Sequence, residues 1–184
     1  MKNGTAQQLV ISGVGGQGVL FLTRLLAEAA MDKGLAVFTS ETHGMAQRGG
    51  TVISHLKVGD FTSPMIRPGC ADGLLVLKEE NLDLHAGYGR AGAWAVVNSR
   101  HPVPSRQGDC PLEVATVDAF GLAREVASPR SSNLVVLGRA ITICRDMFCG
   151  PDDIVRVLER RLAGDEQRLH KAVTAFRAGM KAQQ

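Results

Sequence analysis

Two short stretches hold the residue types that could do chemistry. The first is Gly13-Val14-Gly15-Gly16-Gln17-Gly18, with four glycines in six residues. Glycine admits positive φ and lets another backbone or a charged group come close, and at a helix start the first amide N–H groups point outward as an anion-attracting nest. The second is Ser40-Glu41-Thr42-His43-Gly44-Met45-Ala46-Gln47-Arg48-Gly49-Gly50, which sets an acid, an imidazole, an amide and a guanidinium among three glycines. Arg48 offers a planar fork of donors that either pairs with Glu41 inside the loop or takes a carboxylate of a substrate or partner bidentately. His43 is either a hydrogen-bonding brace or a proton carrier. Gln47 donates and accepts at once, which suits an interface between subunits.

The elements around these stretches must position them. Gln8-Leu9-Val10-Ile11 reads as a buried strand and Val19 to Lys33 as a helix, so the glycines sit at a strand-to-helix corner, where α/β proteins place ligands and close partners. In that helix Val19, Leu20, Leu22, Leu25, Leu26 and Ala29 face inward, Arg24, Glu28 and Asp32 form a solvated strip, and Gly34 supplies a left-handed cap. Leu35-Ala36-Val37-Phe38-Thr39 is then a second strand parallel to the first, which puts the polar loop and the glycine turn on one sheet edge. Thr51 to Val58 alternates like a half-buried strand, with Val52, Leu56 and Val58 on one face and His55 and Lys57 on the other, so that His55 reads as a surface imidazole.

Farther along, Gly73 to Leu77 suits a central strand, Lys78 to His85 a short helix, Ala93 to Asn98 and Val114 to Asp118 two more strands, and Ala119 to Val126 a helix. The final third is helical. Asn133 to Met147 is too long and apolar for a strand, Pro151 opens a helix closed by Arg160 and Arg161, and Asp165 to Lys181 carries the stripe Leu169, Val173, Phe176, Met180. The expected architecture is α/β: three α/β/α layers around a mostly parallel, mixed sheet, with a Rossmann-like start and a helical C-terminal third. One domain over residues 1–184 is expected.

Composition narrows the function classes. A chain of 184 residues with 45% hydrophobic and 21% charged content is of ordinary domain size. A net charge of +3, basic residues scattered among acids, and eight aromatics give no stripe or stacking platform for nucleic acid. No stretch resembles a signal peptide or approaches the roughly 18 apolar residues of a membrane span, so a cytoplasmic location is expected. Cys70, Cys110, Cys144 and Cys149 lack the close spacing of cluster or zinc ligands and read as buried or idle thiols.

The two loops and the strand after the second resemble the gamma-type component of the 2-oxoacid:ferredoxin oxidoreductases. The form Glu41-Thr42-His43-Gly44-Met45, then Gln47-Arg48-Gly49-Gly50, is most similar to the small (beta) subunit of the indolepyruvate type. The likeness extends over nearly the whole chain, including Asn133 at a late helix and Ala175-Phe176 with Gly179 at the end. Ala172 departs from it, standing where the family's last helix often carries an Asn. The resemblance implies a small subunit supporting thiamine-dependent oxidative decarboxylation of a 2-oxoacid to its acyl-CoA. It implies a large partner holding thiamine diphosphate, Mg and [4Fe-4S] clusters, with ferredoxin as electron acceptor and coenzyme A as acyl acceptor. This chain alone would bind no cofactor and would be inactive. Gly13, Gly15, Gly16, Gln17, Gly18, Glu41, Thr42, His43, Gln47, Arg48, Gly49 and Gly50 are the expected interface or substrate-edge residues, with no catalytic residue in this chain.

Two alternatives stay open on the residues alone. Gly13, Gly15 and Gly18 with Glu41 after the second strand imitate a dinucleotide-binding unit, where the acid would hold ribose hydroxyls. A non-catalytic regulatory module could use the same sheet edge.

Overall fold

The computed structural model describes residues 6–43, 50–105, 111–144 and 146–182. Its strands are β1 (Gln7–Val14), β2 (Val37–His43), β3 (Thr51–Val58), β4 (Ala71–Val76), β5 (Gly89–Asn98) and β6 (Leu112–Val117), and its helices α1 (Val19–Asp32), α2 (Asn81–His85), α3 (Ala119–Val126), α4 (Ser132–Ile143), α5 (Pro151–Arg161) and α6 (Glu166–Lys181). The strands form one mixed sheet in the order β2-β3-β1-β4-β5-β6. β1, β4, β5 and β6 are mutually parallel, while β3 is antiparallel to both of its neighbours.

β2 runs in the expected direction, but it does not lie beside β1. Only seven residues lie between β2 and β3, too few for the crossover that parallel neighbours need, and the two strands pair antiparallel with β3 in the inner place. Composition explains the choice. β3 is buried from Val52 to Val58 and carries Val52, Ile53, Leu56 and Val58, whereas β2 turns polar after Phe38 and tolerates the sheet edge.

The layers are of unequal depth. Leu9 and Ile11 of β1 join the larger core with α1, α3, α4, α5 and α6, and Val10 points into a smaller core with Leu82 of α2 and Ile66. That thinner side corrects the expectation of a half-solvated β3. His55 is 1% exposed and Lys57 7%. The segment after β3 folds back over them, joined by Tyr88 after α2: the Ile66 amide donates to His55 Nδ1 at 3.4 Å, the Tyr88 ring meets His55 edge-on at 5.2 Å, and the Lys57 ammonium lies 5.1 Å from the Phe61 ring centre.

On the α1 strip Arg24 is exposed as expected, but Glu28 and Asp32 are not simply solvated. Arg160 of α5 reaches Asp32 at 2.8 Å, and Arg161 reaches Glu28 at 2.9 Å through Nε. The Arg161 guanidinium holds the Glu28 carboxyl below its usual range. A carboxyl lowered on folding stabilises above its ordinary value, and the contribution is lost as pH falls through the lowered one. Glu28→Gln should therefore cost about 0.5–1 kcal/mol at neutral pH. Thermal melts of wild type and variant should converge on acidification; a gap that persists at low pH would mean that the ion pair is not its source.

Two long-range devices close the molecule. At the crossing of α4 and α6, Gly138 faces the backbone of Phe176 and Met180, and Gly179 faces the backbone of Val135, with no room at either for a side chain. At the opposite end of the sheet, Gln7 at the start of β1 accepts from the Phe148 amide at 2.9 Å and donates to the Asp146 carbonyl at 2.8 Å.

Candidate functional site

The C-terminal ends of β1, β2, β4, β5 and β6 and the N-terminal end of β3 share one sheet edge. β1 extends through Gly13 and Val14, so the turn proper is Gly15 to Gly18. Gly16 (φ 94°) and Gly18 (φ 82°) occupy the left-handed region, and Gly18 caps α1 with no side-chain hydrogen bond. The expected meeting of the two loops is seen at one backbone contact, where the Gly15 amide donates to the Gly50 carbonyl at 3.1 Å.

Gln17 is a brace. Its Oε1 accepts from the Val14 amide at 2.9 Å and its Nε2 donates to the Leu77 carbonyl at 3.2 Å, so one side chain ties the turn to the end of β4. The same carbonyl takes Asn98 Nδ2 at 3.1 Å, and Asn98 Oδ1 accepts from the Ala119 amide at 2.9 Å. Three strand ends are thereby locked to one another and to α3. Gly13 is buried beneath the brace, where a Cβ would stand 2.8 Å from Gln17 Oε1.

Glu41 is half-buried and Thr42 exposed near the end of β2, and His43 pairs with Val52 through its backbone. Gly50 is half-buried beside β3. Gln47, Arg48 and Gly49 lie outside the described residues. The position of β3 weighs against the dinucleotide reading. In that fold the acid-bearing strand lies next to the glycine-bearing one, whereas here Glu41 stands two strands away, roughly 10 Å at ordinary strand spacing.

A cleft of about 620 Å³ opens beside Gly18, walled by Phe21, Asn133, Ala172, Arg130, Arg168 and Lys171 among others. The first turns of α1 and α4, neither capped by the side chain of its N-cap residue, adjoin it. Among the described residues Arg130, Arg168 and Lys171 have no ion-pair partner, so the cleft is electropositive. Sequence reasoning missed it because its cations come from separate segments.

Among the described residues no group of three or more His, Cys, Asp or Glu is placed to hold a metal ion. Burial pushes the Cys149 thiol up to about 12 and raises that of Cys144. Both are poor nucleophiles, whereas Cys70 is half-buried and Cys110 lies outside the described residues. Among the described residues no helix is long and apolar enough to cross a membrane.

Comparison with known proteins decides the family. The pattern of the pyruvate ferredoxin/flavodoxin oxidoreductase family matches residues 8–182. The chain belongs to this family. Its relatives include the indolepyruvate oxidoreductase subunit IorB of Archaeoglobus fulgidus, 42% identical over 147 residues, which are 71% of this chain and 73% of that one. The fold is that of the keto/oxoacid ferredoxin oxidoreductase gamma subunit from Geobacter sulfurreducens, with a TM-score of 0.75 over 96% of this chain and 99% of the other at 22% identity. It is also found in the 2-oxoglutarate:ferredoxin oxidoreductase from Magnetococcus marinus, solved with 2-oxoglutarate, coenzyme A and succinyl-CoA bound, with a TM-score of 0.76 at 19% identity. The match covers 95% of this chain, which spans only 30% of that one. Within the pyruvate ferredoxin/flavodoxin oxidoreductase family the chain is a subunit of a 2-oxoacid:ferredoxin oxidoreductase, with a fold shared by gamma subunits.

Proposed function

We propose that this chain is the small subunit of an indolepyruvate or aryl-pyruvate:ferredoxin oxidoreductase and is inactive without a larger partner. The 42% identity to an indolepyruvate oxidoreductase subunit carries the choice of substrate class. Thiamine diphosphate, Mg and the [4Fe-4S] clusters belong to the partner on this reading, and ferredoxin takes the electrons. This chain's own contribution is to hold the Gly13–Gly18 turn and the loop through Arg48 at one sheet edge, where their backbone hydrogen-bonding groups are met by the other subunit. Cytoplasmic location and a single domain belong to the same reading.

Co-expression tests it. The pair should form a stable complex that reduces dye in the presence of indolepyruvate, and the large chain alone should not; equal activity of the large chain alone would overturn the requirement for this subunit.

The electropositive cleft beside Gly18 supports contact between this chain and the phosphates of coenzyme A. Reversing charge with Arg168→Glu and Lys171→Glu together should raise the KM for coenzyme A about tenfold, equivalent to about 1.4 kcal/mol, and leave that for the 2-oxoacid unchanged. Equal rises in both KM values would argue for a general loss of structure instead.

A further inference from the structure

Behind the glycine turn, on the thin side of the sheet, lies a chain of polar side chains that the motifs do not include. Ser12 of β1 is fully buried and Asn81 is 3% exposed. Asn81 and His85 are four residues apart on α2, so both face Ser12. Asn81 Nδ2 donates to the Gly13 carbonyl at 2.8 Å and to Ser12 Oγ at 3.0 Å. A carbonyl can only accept, which fixes the amide's orientation. Ser12 Oγ is 2.8 Å from His85 Nδ1. A neutral His85 with its proton on Nε2 accepts from the Ser12 hydroxyl at Nδ1 while the Ser12 oxygen accepts from Asn81.

We propose that His85, as that tautomer, is a positioning residue for the glycine turn: its Nδ1 orients the Ser12 hydroxyl, which orients the Asn81 amide, which holds the Gly13 carbonyl. Gln17 grips the turn from the sheet edge and Asn81 from beneath, so Gly13 and Val14 are held from two sides. Burial, which keeps His85 below the ordinary imidazole range, is consistent with the neutral form. The His85 and Tyr88 rings, with centroids 6.3 Å apart, limit the other positions the imidazole could take.

The decisive feature is an acceptor at the Nδ1 position. Asn at 85 places its amide oxygen there, whereas Gln carries its polar group one bond farther out. The full chain should therefore be compared as wild type, His85→Asn, His85→Gln and Ser12→Ala by hydrogen exchange of a peptide spanning Gly13–Gly18, with one from α4 as a control. His85→Gln and Ser12→Ala should speed exchange in the turn about tenfold and leave α4 unchanged, and His85→Asn should remain near wild type. Turn exchange as slow in His85→Gln as in wild type, or as fast in His85→Asn as in His85→Gln, would overturn the proposal. So would a gain in α4 exchange equal to that in the turn. The link from the turn to turnover rests on the proposed function, and the assembled complex separates the two. A wild-type complex without 2-oxoacid-dependent dye reduction would sink the functional reading and leave the exchange result standing.

Discussion

Gly138→Ala and Gly179→Ala should each destabilise the chain by about 3 kcal/mol, the upper part of the range for overpacking. A Cβ at 138 would run into the Phe176 carbonyl and come 2.9 Å from the Met180 nitrogen, and one at 179 would run into the Val135 carbonyl. These obstacles are backbone, which cannot swing aside as a flexible side chain can. Relief requires α4 and α6 to separate, and that loosens Val135, Val136, Leu137, Ala175 and Phe176, all fully buried. For a domain of this size the expected drop in Tm is about 6–12 °C. The double variant should cost less than the sum, because separation forced by one methyl makes room for the other. Calorimetry on the singles and the double checks both statements; a Tm within about 1 °C of wild type for either single would show that the crossing is not tightly packed.

Gln17→Leu should lower turnover of the assembled enzyme more than tenfold with less effect on stability. Leucine keeps most of the volume but strips the Val14 amide of its acceptor and removes one of the two donors to the Leu77 carbonyl. A donor left unpaired costs about 1–3 kcal/mol, and the chain escapes that cost by moving the turn toward water. Gln17→Glu should fail too: it can still accept from Val14 but faces the Leu77 carbonyl with a carboxylate. Gly13→Ala should give the same phenotype by pushing the brace out of place. Steady-state rates of the three complexes, normalised to the amount of complex isolated, test this, and a Gln17→Leu rate within twofold of wild type would remove the brace from the site.

What sequence revealed and what it hid divide along the range of the interactions. Ala119–Val126 is found as a helix with the expected bounds, and Pro151, Arg160 and Arg161 mark α5, because caps, proline and apolar period act within one or two turns. The topological expectation that the two loops meet is seen at Gly15 and Gly50. The place of β3 was hidden, since direction follows from a connecting helix but adjacency depends on which strand the rest of the chain covers on both faces. His55 and Lys57 looked solvated because alternation reports one sheet face and says nothing of a segment that returns to cover the other. Asn81 and His85 have no motif signature; their partner Ser12 lies about seventy residues earlier. Arg48, whose loop carries much of the family resemblance, lies outside the described residues, so its choice between Glu41 and a partner carboxylate is a matter for the assembled enzyme.

The Gln7 clamp has a consequence for the order of synthesis. β1 can pair with β3 once Val58 has emerged from the ribosome, but Gln7 finds its partners only when Asp146 and Phe148 follow. The apolar face of β4 and β5 waits for α4, and α4 in turn for Phe176 near the end of the chain. At ordinary translation rates of about 5–20 residues per second, the growing chain shows sticky sheet for several seconds. Nascent chains halted before α4 should bind chaperones and resist release, and those halted after α6 should not.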